Sequence, residues 1–68
     1  MKKNMTLKEL MKKLNLNKTE LAVELGLTEQ AIITWLNGRR TPNIGNLRDL
    51  YDLCQKNNID VDLIKMFK

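Results

Sequence analysis

Gln30 and Thr34 stand four residues apart, and Arg39 and Arg40 come five residues later with no acid between them. A glutamine amide donates and accepts, a threonine offers a hydroxyl and a methyl, and a guanidinium holds oxyanions in a fixed fork. The spacing puts the amide and the hydroxyl on one side of a helix, with two cations just beyond its end. Such a set suits recognition of a polyanion rather than bond making. Bond making lacks its groups: the 68 residues contain no histidine and a single cysteine, Cys54, whose helical register places it on an inner face. No base accompanies a nucleophile, so an enzyme is not expected. A Cys/His metal site and an internal disulfide lack their residues as well, and no cofactor is expected.

Twelve basic residues against eight acidic ones give a net charge of +4. A solvated basic surface would account for that total, but not for its placement. From Ile33 to Arg48 there are three arginines and no acid, a footprint that suits a nucleic-acid partner. The opening MKKNMTLKELMKKLNL interrupts its apolar residues with charge, unlike a signal peptide. No apolar run approaches the roughly 20 residues that cross a bilayer. A cytoplasmic chain with no membrane partner is expected.

The elements that must position these residues are set by periodicity and by caps. Leu7, Leu10, Met11 and Leu14 recur at helical spacing, and Thr6 with Glu9 forms a capping-box start. Residues 1–5 ahead of it read as a short basic arm. Asn17 with Glu20 starts a second helix, whose Leu21, Ala22 and Leu25 face inward and which Gly26 ends in a left-handed turn. Thr28 caps a third helix running to about Asn37, where Gly38 repeats the stop. A loop containing Pro42 comes next, and Asn43 caps a fourth helix with Ile44, Leu47, Leu50, Tyr51 and Cys54 as its inward face. Asp60 is the expected cap of a short fifth helix carrying Val61, Leu63, Ile64 and Phe67. No segment alternates as a strand does, so the expected fold is all-α: one compact five-helix domain over residues 1–68.

Advancing 100° per residue along the third helix puts Thr28, Ile32, Trp35 and Leu36 on one side and Gln30, Ile33, Thr34 and Asn37 on the other. Trp35 belongs to the core, since three aromatics without interleaved basic residues make no stacking platform. On the outer side Gln30 can pair with adenine, and Thr34 can bond a base or touch a thymine methyl; both are also ordinary solvated helix residues. Ile33 has three readings: packing at the helix margin, contact with a thymine methyl, or contact with a partner protein.

The segment KTELAVELGLTEQAIITWLN, Lys18 to Asn37, resembles the helix-turn-helix of the lambda-repressor-like family, the Cro and phage-repressor type. Ala22 allows close helix crossing, Gly26 permits the tight turn, and Ile32 and Trp35 seat the third helix. The adjoining NGRRTP, Asn37 to Pro42, is similar to the motif that comes after that family's recognition helix. Two positions depart from the family pattern. Lys18 stands where many relatives have glutamine, which favours a simple phosphate contact. Leu36 stands where many have glutamate, and is assigned to packing against the fourth helix.

The resemblance implies that the third helix enters the DNA major groove. Thr28, Glu29, Gln30, Ile33 and Thr34 would then lie at base edges, while Lys18, Thr19, Asn37, Arg39, Arg40 and Asn43 would hold phosphates. Glu29 has two readings, as a first-turn acid complementing the helix dipole or as an acceptor from a cytosine amine. The function implied is a sequence-specific double-stranded DNA-binding regulator, a Cro-like repressor on a palindromic operator, acting on the nucleoid of a prokaryotic or phage-infected cell. One helix reads few base pairs, so a homodimer is expected, with Leu63, Ile64, Met66 and Phe67 around its interface or closing the core. No small-molecule ligand is expected. The alternative is a protein-interaction module on the same fold, such as an antitoxin or a regulatory cofactor.

Overall fold

Every helix begins where a side-chain oxygen replaces a missing backbone acceptor. In the computed structural model, which describes residues 5–67, the elements are α1 (Leu7–Leu14), α2 (Lys18–Leu25), α3 (Glu29–Leu36), α4 (Ile44–Lys56) and α5 (Leu63–Met66). Their caps are Thr6, Asn17, Thr28, Asn43 and Asp62, each accepting from the backbone N–H three residues on. In α1 and α2 the bond is reciprocated, as Glu9 and Glu20 accept from the backbone N–H of Thr6 and Asn17, both at 2.9 Å. Each cap contributes about 1 kcal/mol. The chain is all-helical, as the periodicity predicts, with no strand among the described residues.

Four helices end with one device. Asn15, Gly26, Gly38 and Asn58 adopt positive φ of 59°, 69°, 75° and 56°. The next residue then returns its N–H to a carbonyl five positions back: Leu16 to Met11 at 3.0 Å, Leu27 to Ala22 at 2.8 Å, Arg39 to Thr34 at 3.0 Å, Ile59 to Cys54 at 2.9 Å. Leu16, Leu27 and Ile59 are thereby turned in to pack against the core.

Four fully buried aliphatic residues, one from each of the first four helices, form the centre: Leu10, Leu21, Ile32 and Leu50. Ala22, Leu25 and Trp35 extend it, and the Trp35 ring meets Phe67 edge-on, centroids 6.0 Å apart at 72°. α2 packs more extensively on α3 than any other pair of helices, which holds the second and third helices as a unit.

Met5, assigned with the arm, is only 6% exposed and belongs to the core; the rest of the arm, residues 1–4, lies outside the described residues. The cap of α5 is Asp62, not Asp60, because Val61 and Leu63 are both buried and the chain does not turn helical until both are seated. On α4, Leu50 and Cys54 are buried, while Ile44 is 82% exposed and Tyr51 is also exposed. Both lie at the edge of the apolar sector, where no helix among the described residues covers them. Of the expected interface residues, Leu63 is buried, Met66 and Phe67 pack on the core, and Ile64 is 74% exposed. No helix among the described residues is long and apolar enough to cross a membrane.

Candidate nucleic-acid interface

The turn from α2 to α3 is three residues long, Gly26 to Thr28. Gly26 is required by its backbone conformation and not by space, since a Cβ there would meet nothing within 4 Å. Leu27 points inward from the turn, and Thr28 begins α3 by accepting from the Ala31 N–H at 3.3 Å. Helix wheel geometry places Thr28 with the buried side, but it is exposed; its capping role turns it out of the core. Its hydroxyl proton remains available, because capping uses only an oxygen lone pair.

Ile32 and Trp35 fix α3 from the inner side, leaving Glu29 and Gln30 exposed and Ile33 and Thr34 half-buried. Ile33 does not join the core cluster. Leu36 is corrected: it is 36% exposed and, with Trp35, lines an open groove beside Leu7, Met11, Leu16 and Phe67, away from the expected packing on α4. The helix wheel places it near Ile32, but at the last residue of the helix the neighbouring elements no longer close over it.

Thr34 joins the helix to the cations. Its hydroxyl donates to the Ala31 carbonyl at 2.7 Å, so its methyl and oxygen lone pairs are what it can present. Its carbonyl accepts from the backbone N–H of both Arg39 at 3.0 Å and Arg40 at 3.3 Å. The two exposed arginines therefore hang from α3 by main-chain bonds, and Asn37 and Gly38 between them and the helix are exposed as well. From Gln30 to Arg48 the chain has no acid, so the field along this strip is positive.

At the start of α2, Asn17 accepts from the Glu20 N–H at 2.8 Å, while the N–H groups of Lys18 and Thr19 belong to the first turn, which has no intrahelical acceptor for them, and the Lys18 side chain is exposed. Asn43 similarly accepts from the Asn46 N–H through its Oδ1 at 2.8 Å and keeps its side-chain amide protons. The first turns of α2, α3 and α4 thus keep backbone donors without intrahelical acceptors, and Lys18, Arg39 and Arg40 are exposed cations.

One contact was not legible from spacing. The Thr19 hydroxyl donates to a carboxylate oxygen of Glu29, ten residues away, tying the first turns of α2 and α3. A hydroxyl has one proton, so Thr19 cannot give it to a phosphate at the same time. The available signal was topological: a three-residue turn brings two first turns together, and each carries a polar side chain.

Cys54 is almost wholly buried, and desolvation pushes its thiol up from the usual range, keeping it protonated.

No curated protein and no solved structure matches the chain. A family model described as helix-turn-helix matches residues 7–60, from the start of α1 to just before α5.

Proposed function

The chain belongs to the helix-turn-helix family of the Cro/C1 type and is thus a DNA-binding transcription regulator, and from that premise we propose that it is a repressor, binding a palindromic operator as a homodimer. It acts in the cytoplasm by occupying the operator and excluding polymerase. The observation that carries this is the fastening of Arg39 and Arg40 to the Thr34 carbonyl, which gives an acid-free strip a fixed offset from the outer face of α3. A fixed offset lets backbone contacts set the register in which side chains meet base edges.

In this reading α3 lies in the major groove with Thr28, Glu29, Gln30, Ile33 and Thr34 toward the bases. Gln30 pairs with adenine. Thr34 and Ile33 supply methyl groups for thymine, because the Thr34 proton is already bonded within the helix. Lys18, Asn37, Arg39, Arg40 and Asn43 contact phosphates through side chains, and Thr19 does so through its backbone N–H. Ala22, Gly26, Ile32 and Trp35 hold the motif in shape. The dimer surface draws on the uncovered Ile44, Tyr51 and Ile64, and two copies read half-sites about one helical turn apart.

Selection of bound sequences from a random duplex library tests the reading. The expected result is a palindrome with half-sites near 10 base pairs centre to centre. A single unpaired half-site would remove the dimer, and an unenriched pool would remove base reading altogether. The second outcome would favour a protein-interaction module, for which the exposed Val23, Ile44 and Ile64 are the supporting observation.

A further inference from the structure

We propose that Thr19 is a positioning residue for Glu29, holding its carboxylate so that the free oxygen accepts from the amine of a cytosine at one fixed position of each half-site. The inference rests on the DNA reading above and specifies the base that the first residue of α3 requires. It starts from the bond between the Thr19 hydroxyl and the Glu29 carboxylate.

Glu29 is the single acid on α3 and is exposed at its N-terminal end. There the helix dipole favours it, but in a groove walled by phosphates a carboxylate needs a donor in front of it. The bases supply few. Guanine presents N7 and O6, both acceptors; thymine presents O4 and a methyl; adenine sets its N6 donor beside the N7 acceptor. Cytosine alone shows a donor, its N4 amine, with no acceptor of its own on the same edge. An acceptor-only side chain at this position therefore selects cytosine and is repelled by the other edges.

A free glutamate would select poorly. Its side chain has three rotatable bonds, and fixing it on a base costs conformational freedom. The Thr19 bond removes most of that freedom before DNA arrives. It occupies one carboxylate oxygen and leaves the second unpartnered among the described residues. Thr19 stands on the second residue of α2, whose position relative to α3 is set by the buried packing of the two helices, so the support is rigid. The bond also takes the hydroxyl proton out of competition for phosphate. This separates Thr19 from Lys18 next to it, whose ammonium has no such partner among the described residues.

The test is random-duplex selection repeated with the full chain and with Thr19→Ser, Thr19→Val and Glu29→Gln. All three substitutions are at exposed positions, and a thermal melt of each checks that the fold persists. The wild-type profile is expected to contain one position per half-site with roughly tenfold preference for cytosine, within the range of a good base contact. Thr19→Ser keeps it. Thr19→Val, which keeps the shape but removes the donor, reduces it to about two- or threefold while the other positions hold. Glu29→Gln moves the same position toward adenine and tightens binding to random duplex, because a charge near phosphate is gone.

A wild-type profile with no cytosine position, or a Thr19→Val profile equal to wild type, overturns the proposal and leaves the DNA reading standing. So does a uniform loss of affinity in Thr19→Val with every preference intact, which would mark the bond as a brace only. Absence of any enriched sequence for the wild type overturns the DNA reading, and the proposal with it.

Discussion

Leu27 and Arg39 occupy the same place in two copies of one backbone turn. Each comes after a glycine at positive φ, and each returns its N–H to the carbonyl five residues back, at 2.8 Å and 3.0 Å. Yet Leu27 is directed into the core from the middle of the α2–α3 turn, and Arg39 stands exposed beyond the end of α3. The usual companion of this stop is an apolar contact after the left-handed residue, and Leu16, Leu27 and Ile59 all provide it. The stop of α3 omits it. The same main-chain geometry thus seals the interior at three ends and presents cations at the fourth. Residue type, not backbone shape, decides which.

The contrast is most vulnerable at its apolar member. Leu27→Arg forces a cation against the core, with an expected loss of about 2–4 kcal/mol. For a chain of this size that lowers the melting midpoint by roughly 10–25 °C. A loss under about 1 kcal/mol in a urea melt would mean that Leu27 is no anchor and that the two turns do not differ in kind.

A smaller and equal effect is expected at the two glycines. Gly26→Ala and Gly38→Ala each impose a left-handed conformation on an L residue, costing about 1–2 kcal/mol. A new Cβ would meet nothing within 4 Å at either site, so strain is the whole cost and the two values should agree within about 0.5 kcal/mol. Calorimetry or chemical denaturation of the pair decides it. Unequal losses would show that one turn carries a contact the other lacks.

The smallest change in stability belongs to the cationic member. Arg39→Leu is expected to shift unfolding by less than about 0.5 kcal/mol, as for an exposed residue. The same change should flatten the salt dependence of DNA binding by roughly one unit for the lost phosphate contact. Titrations at several salt concentrations on operator and random duplex measure it. An unchanged slope would leave Arg39 without a phosphate partner and reopen the question of what the fourth stop is for.

Much of this fold was legible because its starts and stops are local. Thr6, Asn17, Thr28 and Asn43 announce their helices through a single side-chain acceptor, and Gly26 and Gly38 announce their ends. Asn15 and Asn58 perform the same stop, but asparagine serves equally at caps and turns, so neither was distinguishable in advance. Helical period identified Leu50 and Cys54 as inward. It also included Ile44 and Tyr51, because period tells which residues share a sector and not where the covering elements end. The start of α5 is hidden for a similar reason: Asp60 and Asp62 are equally adequate caps in sequence, and the burial of Val61 and Leu63 decides for Asp62. At the candidate site the outward residues of α3 and the arginine pair could be read from spacing. The tie between Thr19 and Glu29 could not, as it depends on how two first turns meet in space.

The bonds from Arg39 and Arg40 to the Thr34 carbonyl use no side-chain atom, and this bears on how such a protein can change over generations. In the proposed DNA reading, substitutions at Glu29, Gln30 or Ile33 alter what α3 offers to a base without moving the arginines, whose offset is written in the main chain. In that same reading a lineage exchanges one recognised letter for another while the proposed phosphate contacts persist through every intermediate. Separating the part that holds from the part that reads makes the vocabulary of the helix heritable one residue at a time.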